Sequence, residues 1–137
     1  MYLLDTNIIS YLIKNLDYSL IDIFEKKAQK DDIGVSVITV AELVYGAKKK
    51  GSKKLEIAID TFLQPLEKVT FDENSAFVYG EIRASLEKQG ELIGAYDMLI
   101  AAQAKQKGVV LVTNNVREFK KVQGLQIENW VKGTSLR

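Results

Sequence analysis

The sequence predicts a wound α/β domain, with a central parallel sheet of four to five strands lying between helices. Three observations carry this reading. Two runs, Tyr2-Leu3-Leu4 and Val109-Val110-Leu111-Val112, are apolar on both faces, as expected of strands covered from both sides. Each run closes on polar residues, Asp5-Thr6-Asn7 in one case and Thr113-Asn114-Asn115 in the other. Between the two, strand-like and helix-like segments alternate, which calls for right-handed crossovers rather than hairpins. Ligands of such sheets bind beyond the carboxyl ends of the strands, and Asp5 stands at that end.

After the first strand, Ile8, Ile9, Leu12 and Ile13 return at the spacing of one helix face. Leu20, Ile21, Ile23, Phe24 and Ala28 give a second helix, ending near Lys30-Asp31-Asp32. The β-branched run Ile33 to Ile38 reads as strand two. Thr39 then opens a helix with Val40, Leu43, Val44 and Ala47, which runs out in lysines before Gly51. Lys53 to Leu63 is helical and closes near Pro65, the only proline. Lys68 to Phe71 suits a short third strand, and Asp72 to Lys88 a long surface helix stopped by Gly90. Asp97 opens a helix so apolar that it must be buried on most sides, ending by Gly108. The second apolar run is the clearest buried strand. Leu125 to Trp130 alternates as an edge strand does, and the tail after Lys132 is expected to be loose.

A chain of 137 residues makes one domain, spanning 1–137, that buries roughly two thirds of its unfolded surface. There is no cysteine and no histidine. Disulfides and thiolate zinc sites are therefore excluded, and the usual neutral-pH general base is missing. Hydrolytic chemistry would have to rest on carboxylates, lysines, hydroxyls or an oxygen-bound cation. No apolar run approaches the roughly 20 residues that span a bilayer, and the start lacks a signal-peptide pattern, which places the protein in the cytoplasm and off the membrane. The net charge of +1 announces no nucleic acid by itself. Locally, Lys48, Lys49, Lys50, Lys53 and Lys54 form one basic group and Lys26, Lys27 and Lys30 another. A solvated helix end favoured by the helix dipole explains each group as well as a phosphate contact does. Arg117 suits a phosphate or a surface ion pair, and the pair is preferred.

Three carboxylates stand out. Asp5 follows strand one, Glu42 follows strand two, and Asp97 opens the helix before the last buried strand. In a parallel sheet these positions converge on one edge. Singly, each has a plainer reading: Asp5 and Asp97 as helix caps, and Thr39-Val40-Ala41-Glu42 as a capping box. Jointly, capping is too weak. Two carboxylates about 4 Å apart repel by roughly 4 kcal/mol at an effective dielectric near 20, while a helix N-terminus returns about 0.3 to 1 kcal/mol. A divalent cation with oxygen ligands would hold them together, as would a lysine.

Leu3-Leu4-Asp5-Thr6-Asn7, Val40-Ala41-Glu42-Leu43 with Gly46, Tyr96-Asp97-Met98-Leu99-Ile100-Ala101-Ala102, and Leu111-Val112-Thr113-Asn114-Asn115 with Glu118-Phe119 resemble, in that order, the PIN-domain ribonucleases. The likeness is strongest to the VapC toxins of bacterial toxin-antitoxin pairs, and it covers essentially the whole chain. The resemblance implies a three-layer PIN-like fold, Mg²⁺- or Mn²⁺-dependent RNA cleavage with tRNA as substrate, a homodimer, and inhibition by a cognate antitoxin. By position, Asp5, Glu42 and Asp97 match the family's metal-binding acids, and Thr6 and Thr113 match hydroxyl residues bordering the site. Many members carry a fourth acid where this chain has Asn115. Glu118 is the candidate to supply the missing charge, and the number of metal ions is left open. The five lysines at 48 to 54 are candidates for gripping the RNA backbone.

Two competing readings stand beside this one. A weakened PIN-like domain that binds RNA or protein without cutting has Asn115 in its favour. Aspartyl-phosphate chemistry of the haloacid-dehalogenase type shares the apolar strand ending in aspartate, but needs a second aspartate where this chain has Asn7. Tyr45, Tyr79 and Tyr96 suit a partner or the core, and the core is preferred.

Overall fold

The computed structural model describes residues 1–132, so the tail expected to be loose lies outside the described residues. Strand β1 (Tyr2–Leu4) is followed by α1 (Thr6–Lys14) and α2 (Tyr18–Ala28), and β2 (Ile33–Ser36) by α3 (Val37–Lys50) and α4 (Lys53–Leu63). Then come β3 (Glu67–Val69), α5 (Glu73–Lys88), α6 (Ala95–Lys107), β4 (Val110–Val112), a short α7 (Val116–Phe119) and β5 (Ile127–Glu128). The strands form one parallel sheet in the order β3-β2-β1-β4-β5.

The sheet has helices on both sides because its strands are apolar on both sides. Leu3 and Leu4 are wholly buried and point to opposite faces. Leu4, Val35 and Val112 join the core formed with Ile8, Ile9, Leu20, Leu43 and Leu63 from α1 to α4. Leu3 and Leu111 join the core formed with Ile82, Leu86, Ile100 and Phe119 from α5, α6 and α7. The layers are helix, sheet, helix.

Strand order reverses between β1 and β4. The chain builds outward from β1 to β3, then returns to lay β4 against the free edge of β1. At such a switch point the two flanking connections leave in opposite directions and open a crevice. Leu4 is in register with Val112, so Asp5 and Thr113, the next residue on each strand, meet at that crevice.

Several boundaries differ from the sequence reading. Strand β2 stops at Ser36, whose hydroxyl accepts the Ile38 N–H at 3.0 Å and caps α3. The β-branched Val37 and Ile38 look like strand but are the first turn of the helix. Thr39 and Glu42 therefore lie inside α3, and the capping-box reading of Glu42 falls. Helix α6 begins at Ala95 with Gly94 as its cap residue, so Asp97 is not a cap either. Strand β3 comes one residue earlier than expected and ends at Val69. Helix α7, four residues long, is too short to leave a periodic signal.

Candidate active site

Asp5 occupies the end of β1 and caps α1, so both its cap reading and its place at the sheet edge hold. Its Oδ1 accepts the Thr6 N–H at 2.8 Å and its Oδ2 accepts the Thr113 hydroxyl at 2.8 Å. The Thr113 hydroxyl in turn accepts the Asn115 N–H at 2.9 Å. A relay of donors from the loop after β4 thus fixes the Asp5 carboxylate in place. Burial nonetheless outweighs both hydrogen bonds and raises the Asp5 pKa above the ordinary carboxylate value.

Glu42 reaches the same place from the second turn of α3. Its Oε1 accepts the Thr6 hydroxyl at 2.9 Å, and the buried Thr39 hydroxyl lies 3.4 Å from that of Thr6. Thr6 therefore touches both acids, one through its backbone and one through its side chain. Sequence reading missed Thr39 as a neighbour of the site because it took that residue for the start of the helix.

Asp97 lies in the first turn of α6, half-buried. Its pKa is pushed up to about 6, by burial first and then by the charges of Asp5, Glu42 and Glu118. This shift records the convergence. Acids from the end of β1, from α3 and from α7 act on the one carboxyl of α6 although they are remote in sequence. Among the described residues, Asp5, Glu42 and Asp97 have no ion pair with a lysine or arginine, whereas Glu118 is paired with Lys121 at 3.3 Å. As the side chains stand, no three acids among the described residues form a group close enough to hold one ion, and the Glu42 carboxylate accepts the Thr6 hydroxyl. The group is a loose anionic ring. Its donor set, carboxylates and hydroxyls without nitrogen or sulfur, fits a hard divalent cation.

Asn115 enters this network through its backbone, and its side chain makes no hydrogen bond among the described residues. The lysines divide. Lys48 pairs with Glu56 at 2.5 Å, and Lys48 and Lys53 both lower the Glu56 pKa, the Lys48 hydrogen bond most. Lys49 stands over the Tyr45 ring. Lys50 lines a hollow between α1, α3 and α4 together with Lys14, Ser10, Thr6 and Glu42, and Lys54 is exposed. In the second basic group Lys26 pairs with Asp22 one turn away on the exposed face of α2, whereas Lys27 reaches across to Glu128 of β5 and donates to the Tyr2 hydroxyl at 3.4 Å. Arg117 is exposed and has no ion pair among the described residues, against the surface pair preferred from sequence.

Tyr45 and Tyr96 are not in the core. They are 64% and 59% exposed, and only Tyr79 packs as expected, beside the α5–α6 core. Sequence reading also missed Gln103. Wholly buried on α6, it accepts the Ser36 hydroxyl and donates to the Val69 carbonyl at 3.2 Å. This side chain ties α6, which carries Asp97, to the cap of α3, which carries Glu42.

Comparison with known proteins shows the family to which the fold belongs. The family profile described as PIN domain matches residues 2–125. The chain is 46% identical over 131 residues to a protein of Haemophilus influenzae named ribonuclease VapC2, with 95% of this chain and 98% of that one covered. It is 38% identical over 130 residues to the tRNA(fMet)-specific endonuclease VapC of Shigella flexneri, with coverage of 94% and 97%. Among solved structures, VapBC2 of Rickettsia felis bound to a DNA fragment from its promoter superposes with a TM-score of 0.88 at 41% identity, covering 95% of this chain and 98% of that one.

Proposed function

The chain belongs to the PIN-domain family, among its VapC ribonucleases, and from that premise we propose that it is a divalent-metal-dependent endoribonuclease toxin. Its proposed substrate is tRNA, its proposed setting the cytoplasm, and its proposed assembly a homodimer silenced by a cognate antitoxin. The observation that carries the reading is the group of acids at the β1–β4 switch point, where burial first and then the charges of Asp5, Glu42 and Glu118 raise the Asp97 pKa and no basic side chain is paired to Asp5, Glu42 or Asp97 among the described residues. Structural acids are usually offset by a neighbouring cation. Acids kept together without one suit a metal ion and the phosphate beside it.

In this proposal Asp5, Asp97 and Glu42 would hold Mg²⁺ or Mn²⁺ once drawn together on it, and the bound ion would polarise a phosphate oxygen and lower the pKa of water. The chain's own work is orientation. Thr113 and the Thr6 amide aim Asp5, the Thr6 hydroxyl holds Glu42, and Glu118 adds charge at the rim. A chain without histidine lacks the usual base for attack by a 2′-hydroxyl, so the expected products carry a 5′-phosphate and a 3′-hydroxyl. Incubating the purified protein with total small RNA, with Mg²⁺ or with excess EDTA, and mapping the ends tests this. Cyclic phosphate ends, or undiminished cutting in EDTA, would overturn it.

The antitoxin is proposed to place a basic side chain among the same acids. Neutralising every basic residue in its tail is expected to release activity, and full inhibition after that change defeats the idea. A non-cutting binding module is the second reading, favoured by the neutral Asn115. Asp5→Asn separates the two, since it costs a nuclease its cutting and a binding module little.

A further inference from the structure

Beside the acids lies a hollow of about 540 Å³ lined by Ile38, Ala41, Glu42, Tyr45 and Tyr96. The first four residues recur at helical spacing along one side of α3. Tyr96 comes from the first turn of α6, next to Asp97. Single exposed aromatics are ordinary on protein surfaces. Here two share a hollow, and that hollow shares Glu42 with the anionic ring. The Lys49 ammonium stands 5.9 Å from the centre of the Tyr45 ring, so the same rim also carries a cation.

We infer that Tyr45 and Tyr96 hold an unpaired nucleobase of the substrate RNA in this hollow by stacking, leaving its adjoining phosphate beside the acids. The inference rests on the nuclease reading of the acid site. A nucleotide matches the hollow in two respects: the base offers a flat π-face to aromatic rings, and its phosphate offers an anion to the ammonium at the rim. A base within a duplex cannot enter, because its faces are already stacked on its neighbours. The cut bond accordingly lies in a loop or single strand. Stacking accepts any base, so preference for unpaired over paired RNA exceeds preference among the four bases.

The test uses the full-length Asp5→Asn protein and a single-stranded RNA oligonucleotide carrying 2-aminopurine, a base whose emission falls when it stacks. Saturable quenching is expected. It should persist when both tyrosines become phenylalanine, and vanish when both become alanine, with binding weakened about ten- to hundred-fold. With Asp5 restored, the alanine pair should raise KM for RNA by a similar factor while kcat changes little. Quenching that depends on the tyrosines in a protein that never cuts RNA upholds the hollow and removes the nuclease reading. Cutting by the alanine pair with unchanged KM upholds the nuclease and removes the hollow. Equal quenching with a duplex probe, or a change in oligomeric state of the alanine pair by light scattering, also overturns the inference, the latter in favour of contact between copies.

Discussion

Two polar groups sit at the carboxyl end of this sheet, and they are built on opposite principles. At the β2 end, Ser36, Gln103 and the Val69 carbonyl are neutral and mutually satisfied, with donors facing acceptors. At the β1 end, Asp5, Glu42 and Asp97 are acids without a paired cation among the described residues, and burial, then the charges of Asp5 and Glu42, raise the proton affinity of Asp97. A buried polar group that meets its own needs costs little and fixes geometry. One that does not is kept at the expense of stability, and such expense points to chemistry. The satisfied group also supports the unsatisfied one, since Gln103 and Ser36 are rooted in the helices that bear Asp97 and Glu42.

The contrast can be broken at either end. The largest effect is expected from Asp5→Asn, which removes one charge from the ring and should lower RNA cleavage about a thousand-fold while leaving the circular dichroism spectrum and melting behaviour near those of the parent. Collapse of the fold instead would make Asp5 a structural cap above all. Next comes Gln103→Leu, which strands the Ser36 hydroxyl and the Val69 carbonyl and should cost about 1–3 kcal/mol in chemical denaturation. A neutral result there would mean that the satisfied group adds nothing to the frame.

A smaller effect of opposite sign is expected from Asp97→Asn in EDTA. The Asp97 carboxyl keeps its proton to about pH 6 in the folded protein, against 3.8 for the ordinary group. Between those values the folded state binds the extra proton, so the stability this group contributes is complete at lower pH and is lost as pH rises through about 6. Asparagine escapes that loss. Allowing for solvent screening of a half-buried group, the variant should be more stable than the parent by about 1–2 kcal/mol at pH 7, with the difference vanishing below the ordinary carboxylate pKa. Equal stability at both pH values would mean that the ring is not strained. The smallest effect belongs to Lys48→Ala. Its pair with Glu56 lies on the surface, where solvent screens it, and its loss should shift thermal melting only slightly. A larger loss on thermal melting would move Lys48 from the surface to the frame.

The legibility of each feature follows the kind of signal it leaves. Strands β1 and β4 are plain because doubly covered strands are apolar throughout, β2 shows through its β-branched residues although it ends at Ser36 and not at Ile38, and the edge position of the last strand shows in its alternation although β5 is shorter than Leu125 to Trp130. The start of α3 was misplaced because Val37 and Ile38 have the side chains of a strand and only the Ser36 cap reveals the turn. Asp5, Glu42 and Asp97 were picked out as acids in otherwise apolar stretches. Gln103 was missed because a lone amide in the alanine-rich α6 looks solvated until β2 and β3 are packed against it. Tyr45 and Tyr96 were assigned to the core because aromatic character does not say which side of a helix faces out. Whether a residue is satisfied, or exposed, is decided by contacts between remote segments, and no local pattern carries it.

The sheet order also constrains how the protein is made. Strand β1 lies in the middle of the sheet but leaves the ribosome first, and its neighbour β4, which brings Thr113 to Asp5 across 108 positions, leaves late. Until then one edge of β1 stays open, and the nascent chain can assemble only the half built on β2 and β3. Stalled chains that end before Val110 should accordingly stay sensitive to protease around Leu3 and Leu4, and acquire resistance only once β4 has emerged.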